Sequence, residues 1–242
     1  MKIAVWSGPR NLSTALMYSF ANRADCAECD EPFYAAYLKQ SGIEHPMREA
    51  ILVSQSVDPL RVACDLTGPP PNGRMYWYQK LMCHHMCAGF PLTWMGQVKN
   101  VFLIRHPARV VASYQAKRAE VTLADIGLRQ QIGLYEYVRS LGQTPSVIDA
   151  DDILRAPEAA LRALCAALKM PFDAAMMSWP QGPKTFDGPW AAHWYGQAHQ
   201  STGFAPFVPE MPSVTGHYAD LVELAMPLYR ALTPTISGRE QL

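Results

Sequence analysis

Ile3-Ala4-Val5-Trp6-Ser7-Gly8-Pro9-Arg10-Asn11-Leu12-Ser13-Thr14-Ala15-Leu16-Met17-Tyr18-Ser19-Phe20 reads as strand, turn and helix in succession. The apolar run Ile3 to Trp6 fits a buried strand, Gly8 and Pro9 break it, and Leu16, Met17 and Phe20 begin a helical period. Backbone N–H groups at a helix start are unpaired and lie at the positive end of the helix dipole, so a loop in this position holds an anion. Ser13 and Thr14 add hydroxyl donors, and Arg10 adds a permanent cation. Residues Ser7, Gly8, Pro9, Arg10, Asn11, Leu12, Ser13 and Thr14 are therefore read as a phosphate or sulfate cradle. The plain alternative is a strand-to-helix turn capped by Ser13.

The NTPase loop, G-x-x-x-x-G-K-[ST], does not fit: Ser13 stands where its second Gly belongs and Thr14 where its Lys belongs. The order Pro9-Arg10-Asn11-Leu12-Ser13-Thr14 instead resembles the 5′-phosphosulfate loop of the sulfotransferases that use 3′-phosphoadenosine 5′-phosphosulfate (PAPS). Leu12 occupies a place where that family commonly has Gly, which bears on how closely the backbone can approach a ligand.

A second motif lies at Val101-Phe102-Leu103-Ile104-Arg105-His106-Pro107-Ala108-Arg109-Val110-Val111-Ala112-Ser113-Tyr114. An apolar strand ends at Arg105, Pro107 opens a helix, and Ser113 follows Arg105 by eight positions. A guanidinium at the strand end and a hydroxyl on the helix can grip one phosphate from two sides. This arrangement resembles the family's 3′-phosphate motif, matched at Arg105, Pro107, Ser113 and Tyr114. Arg109 stands where an Asp is frequent. A basic strand end also argues against a kinase, which needs an acidic one to hold Mg²⁺. A sulfuryl group carries less charge, so Arg10, Lys80 and helix-start donors could stabilise its transfer without metal.

Two segments offer a general base. Glu31, before Pro32, is either a helix N-terminal charge aided by Asp30 or, as the resemblance implies, the group that takes the acceptor's proton. Lys80 ends an aromatic-rich strand, Met75 to Lys80, and His84 and His85 follow. The resemblance implies a Lys that steadies charge on the bridging oxygen and a His that acts as base; the alternative is a pair of surface histidines. Glu31, His84 and His85 compete for one role, with Lys80 and Arg10 as charge stabilisers.

The 242 residues are 49% hydrophobic, and 21 Lys plus Arg balance 21 Asp plus Glu. That length holds one core, and neutrality without a basic run speaks against nucleic-acid binding. No stretch approaches the roughly 20 apolar residues of a membrane helix, and no long apolar segment precedes the first strand; a cytoplasmic location is expected. Six scattered cysteines suit a reducing compartment. Cys26-Ala27-Glu28-Cys29 and Cys83-His84-His85-Met86-Cys87 have ligand-like spacing but no completing partner, so no metal is expected.

Further elements are expected as a helix ending near Asn22, a helix opening at Pro32, a short helix over Met47 to Val53, a strand over Leu60 to Leu66 and a loop at Gly68 to Gly73. A long helix over Thr122 to Leu141, a strand over Pro145 to Asp149, a helix over Pro157 to Leu168 and a last helix over Tyr218 to Leu232 complete the pattern. Residues 179–215 are rich in Pro, Gly and aromatics and too long for an idle connection; they read as a lid, with Trp190, Trp194 and Tyr195 available to stack on an adenine or pack an acceptor.

Alternation of strands and helices predicts a single three-layer α/β domain over 1–242 of the phosphate-loop type, a central parallel sheet flanked by helices. The resemblance, running from residue 3 to about 232, implies sulfuryl transfer from PAPS, leaving 3′-phosphoadenosine 5′-phosphate (PAP), to a hydroxyl or amine of a small molecule. The alternatives are a non-catalytic nucleotide-binding protein, a small-molecule kinase, and a zinc-bound interaction module. No lysine stands in a recognisable pyridoxal-binding setting. Acceptor and oligomeric state are open.

Overall fold

The computed structural model describes residues 1–115 and 121–233. Among them the strands are β1 (Lys2–Ser7), β2 (Cys26–Asp30), β3 (Tyr76–Met82), β4 (Lys99–Ile104) and β5 (Ser146–Asp149). They form one sheet in the order β2-β3-β1-β4-β5, every neighbouring pair parallel. Helix α1 (Ser13–Ala21) joins β1 to β2; α2 (Tyr34–Ser41), α3 (Arg48–Ser54) and α4 (Pro59–Thr67) join β2 to β3. Between β4 and β5 lie α5 (Pro107–Gln115), α6 (Leu123–Ile126) and α7 (Leu128–Ser140). After β5 come α8 (Ala150–Arg155), α9 (Pro157–Leu168), α10 (Ala191–Trp194), α11 (Gly196–Gln200) and α12 (His217–Leu232).

Strand side chains alternate between two cores. Ile3 and Val5 of β1 pack with Leu16, Met17 and Phe20 of α1 and Leu161 and Leu164 of α9. Ala4 and Trp6 pack on the other face with Val110 and Val111 of α5 and Leu134 and Val138 of α7. Each fully buried large side chain contributes about 1.5–3 kcal/mol, so a strand apolar on both faces belongs at the centre of the sheet, where β1 lies. β1 is flanked by β3 and β4, which places the crevice for a ligand at its carboxyl end, where the connections diverge.

Three expectations are corrected. Leu60 to Leu66 is helical, not a strand: Asp58 accepts a hydrogen bond from the Leu60 N–H, Pro59 occupies the first turn, and Val62, Ala63 and Leu66 form a buried stripe at helical spacing. Cys26–Asp30, to which the local pattern assigns no element, is an edge strand; pairing with β3 supplies what propensity lacks. The helix expected over Thr122 to Leu141 is two helices, because Gly127 adopts φ 76° and ends α6 there. Pro32 lies two residues before α2, whose N-cap is Phe33.

Candidate active site

A cavity of about 690 Å³ opens at the carboxyl ends of β1, β3 and β4. Its floor at one end is the loop after β1. Gly8 is required there by close approach: a Cβ at this position would stand 2.2 Å from the Ile126 carbonyl oxygen. Because that oxygen is backbone, Gly8→Ala is expected to displace the α6–α7 turn or the loop, lowering stability by about 1–3 kcal/mol and weakening anion binding, as thermal melts and calorimetry would show.

Leu12 takes the left-handed conformation, φ 70° and ψ 7°, and caps α1 with no side-chain hydrogen bond. It thus adopts a backbone geometry that favours glycine, at a cost of about 1–2 kcal/mol. Arg10 is left-handed as well, at φ 63°. Two strained non-glycine residues in one loop are held by their surroundings: Asn11 Nδ2 donates to the Leu103 carbonyl at 3.3 Å, and Arg105 Nη1 donates to the Arg10 carbonyl at 2.9 Å.

The two motifs found in the sequence meet here. Arg10 Nε donates to Ser113 Oγ at 2.8 Å, so the loop after β1 and helix α5 share one polar centre. Arg105 Nε is buried and makes no hydrogen bond, with Asp151 Oδ1 3.9 Å away. Arg109 holds the other oxygen of Asp151 at 2.8 Å and ties the carbonyl of Val208 at 2.7 Å. Burial lowers the pKa of both Arg10 and Arg105, opposed at Arg105 by Asp151, but guanidinium groups stay charged. Two cations, a hydroxyl and a helix start converge on one end of the cavity, an arrangement that binds phosphate or sulfate.

The opposite side holds a cluster that the sequence only half discloses. Register places Asp30 of β2 beside Lys80 of β3. Lys80 Nζ donates to Asp30 Oδ1 at 2.9 Å, to Glu31 Oε1 at 2.6 Å and to the Tyr195 hydroxyl, so all three of its protons are taken. The Tyr195 hydroxyl lies 2.9 Å from Asp30 and accepts from Trp190 Nε1 at 3.0 Å. Burial raises the Asp30 pKa to about 6 despite Lys80, with the neighbouring Glu31 charge adding to the rise. Burial would lower Lys80, but the two carboxylates outweigh it and raise its pKa. Glu31 holds φ 44°, a strained geometry at the head of the cavity, and its backbone is tied to the Lys80 carbonyl and to Gln55.

His85 is 1% exposed and stacks against both Tyr34 and Tyr37, ring centroids 4.2 and 4.8 Å away; its Nε2 is 3.9 Å from Glu31 Oε2. Burial lowers the His84 pKa to about 4 and that of His85 well below the ordinary value. The pair is therefore neutral in the folded chain near pH 7. An unfolded chain takes up protons on these rings below about pH 6.5, so stability falls as pH drops from there towards 4. Asp30 works in the opposite direction, gaining its proton in the folded chain first. A double variant, His84→Asn with His85→Asn, is accordingly expected to lose less melting temperature between pH 7 and pH 5 than the parent.

Pro9 to Thr14, Glu31, Lys80, His84, His85, Arg105 and Ser113 line the cavity. Ser7 does not; it is fully buried under the loop, with its hydroxyl toward Met82 Sδ at 3.7 Å. Trp190 does not either: it is 1% exposed beneath Gly188, where a Cβ would meet the indole at 2.1 Å, and it braces Tyr195 rather than presenting a face for an adenine. Trp194 and Tyr195 do line the cavity. Asp30 and the hydroxyl of Tyr195 were not legible as site groups; the one signal was an adjacent carboxylate pair at a strand end beside a lysine strand. No group of three or more His, Cys, Asp or Glu placed to hold a metal occurs among the described residues, and none of their helices is long and apolar enough to cross a membrane.

The chain belongs to the sulfotransferase domain family, whose model matches residues 1–235. Among relatives in sequence, the Arabidopsis thaliana proteins named branched-chain-amino-acid aminotransferase-like protein 2 and protein 1 are each 38% identical, over 233 and 238 residues. Those matches cover 95% and 98% of this chain but 41% and 42% of the relatives, so the chain spans about two fifths of their length. Among solved structures, a sulfotransferase from Alicyclobacillus acidocaldarius superposes with a TM-score of 0.57 at 14% identity, covering 96% of this chain and 92% of that one. At that identity the likeness speaks for the fold alone.

Proposed function

We propose that the chain transfers a sulfuryl group from PAPS to a hydroxyl or amine of a small acceptor, with no metal. The observation that supports this most is the meeting of Arg10, Ser113 and Arg105 at the loop after β1, with Arg105 Nε buried, making no hydrogen bond and 3.9 Å from Asp151 Oδ1. In this reading residues 9–14 and the start of α1 hold the 5′-phosphosulfate, and Arg105 with Ser113 holds the 3′-phosphate. The acceptor oxygen or nitrogen forms a bond to sulfur as the bond from sulfur to the bridging oxygen breaks. PAP leaves with that electron pair, and the acceptor's proton passes to Glu31.

Glu31 suits the base role better than the histidines because taking a proton removes a charge from a buried carboxylate, whereas it would create one on a buried ring. After Glu31 is protonated, Asp30 still neutralises Lys80. With its three protons engaged, Lys80 acts through Glu31, and charge on the leaving oxygen falls to Arg10 and the α1 N-terminus. Residues 179–215 serve as the cover, since His193, Trp194, Gln197 and Ser201 line the cavity while Asp187 accepts a hydrogen bond from the Tyr18 hydroxyl at 2.8 Å.

Calorimetric titration tests the reading. PAP is expected to bind without metal and to bind Arg105→Ala about 10- to 100-fold more weakly, the loss of charged hydrogen bonds. No binding of PAP, or a preference for ATP with Mg²⁺, would overturn it.

A further inference from the structure

Three carboxylates, Glu31, Glu44 and Asp125, and three cations line the cavity among the described residues. Its lining lysine and arginine side chains among the described residues are Arg10, Arg105 and Lys80. The two arginines lie at the loop, and Lys80 is spent on Asp30, Glu31 and Tyr195. The far end presents the carboxylates of Glu31 and Glu44 and the rings of Tyr34 and Trp194. It also holds His85, 1% exposed, whose Nδ1 is buried without a hydrogen-bond partner; Nδ1 of His84 is in the same condition.

Negative charge beside aromatic faces has one chemical complement: a cation on an apolar body. We infer that the acceptor is a small amino alcohol, its ammonium group held at the far end by Glu44 and the faces of Tyr34 and Trp194, and its hydroxyl placed at Glu31. This rests on the sulfuryl-transfer reading. Burial keeps both imidazoles neutral, so neither repels the ammonium group. An anionic acceptor would set like charge beside two carboxylates with no free lysine or arginine to offset it.

Three probes of one skeleton separate charge from shape: 4-(aminomethyl)benzyl alcohol, 4-methylbenzyl alcohol and 4-(hydroxymethyl)benzoate. Each is titrated calorimetrically at pH 7 into the protein alone and into protein saturated with PAP. The amine is expected to bind about tenfold more tightly than the neutral alcohol, and the benzoate no better than the neutral one. Glu44→Gln, an exposed position, is expected to cut the amine's advantage about two- to fivefold. Equal affinities, a tighter benzoate, or no binding of the amine would overturn the inference. Failure of PAP to bind, with the amine's preference retained in the protein alone, would instead remove the donor assignment and leave this one standing.

Discussion

Glu31→Gln is expected to lower the turnover of sulfuryl transfer by about 100- to 10,000-fold, the range that loss of a general base produces, while the affinity for PAP stays within about twofold. The separation of the two effects follows from the geometry. Glu31 lies on the Lys80 side of the cavity, and the groups set to hold the nucleotide lie at the loop and at β4. The variant stays folded because the amide still accepts from Lys80 and Asp30 remains as its counter-charge. His84→Asn serves as the comparison and is expected to change turnover by less than tenfold. Turnover assays with saturating PAPS decide between them: a large loss in the histidine variant and a small one in Glu31→Gln would transfer the base role to the imidazole.

Lys80→Met is expected to destabilise the fold by about 3–5 kcal/mol near pH 7, because removing one member of a buried ionic cluster strands the others. Asp30 and Glu31, both less than one-tenth exposed, would face each other without a cation. In a chain of this size each kcal/mol moves the melting temperature by roughly 2–4 °C, so a drop of about 6–20 °C is expected. The deficit depends on pH with a definite sign. Asp30 already has its pKa raised to about 6 by burial, and without Lys80 the rise is larger. The folded variant therefore binds protons that the unfolded chain releases, and its stability falls as pH rises through the window from about 4 to 7. Acidification should narrow the gap to the parent, and adding Asp30→Asn should narrow it at pH 7. A gap that is the same at pH 5 and pH 7 would show that lost packing, not charge, is the cause.

The same cluster explains the shape of the far wall. Trp190, expected to be a surface for the nucleotide, is used as an internal brace: its indole supports the Tyr195 hydroxyl, which accepts from Lys80 and bonds Asp30. The segment 179–215 is thereby fixed to the sheet through a polar contact, and Arg109 fixes its far end at Val208. Where the family often has an Asp, Arg109 takes up Asp151. Arg105 Nε makes no hydrogen bond and lies 3.9 Å from the other oxygen of Asp151.

Much of this protein was determined by the order of its residues alone. Local pattern suffices for an apolar strand followed by a turn and a helix, so β1, the loop and α1 could be read directly, as could β4, Arg105 and α5. Both rest on short-range rules of alternation, breaking and capping that operate within a few residues. Where local signals conflicted, tertiary contacts chose. Leu60 to Leu66 became a helix because Asp58 and Pro59 start one and a helical stripe finds a core to face. Cys26–Asp30 became a strand because β3 offered it a partner. The site divides in the same way. Arg10, Ser113 and Arg105 were found because each sits in its own motif, but their convergence at one end of the cavity required the sheet to bring chain positions about a hundred apart into contact. Asp30, Lys80 and Tyr195 belong to three distant segments with no motif in common. Their union is decided by strand register and by the return of the late segment over the sheet, and that long-range placement is what turns a plain acidic turn into a buried ionic site.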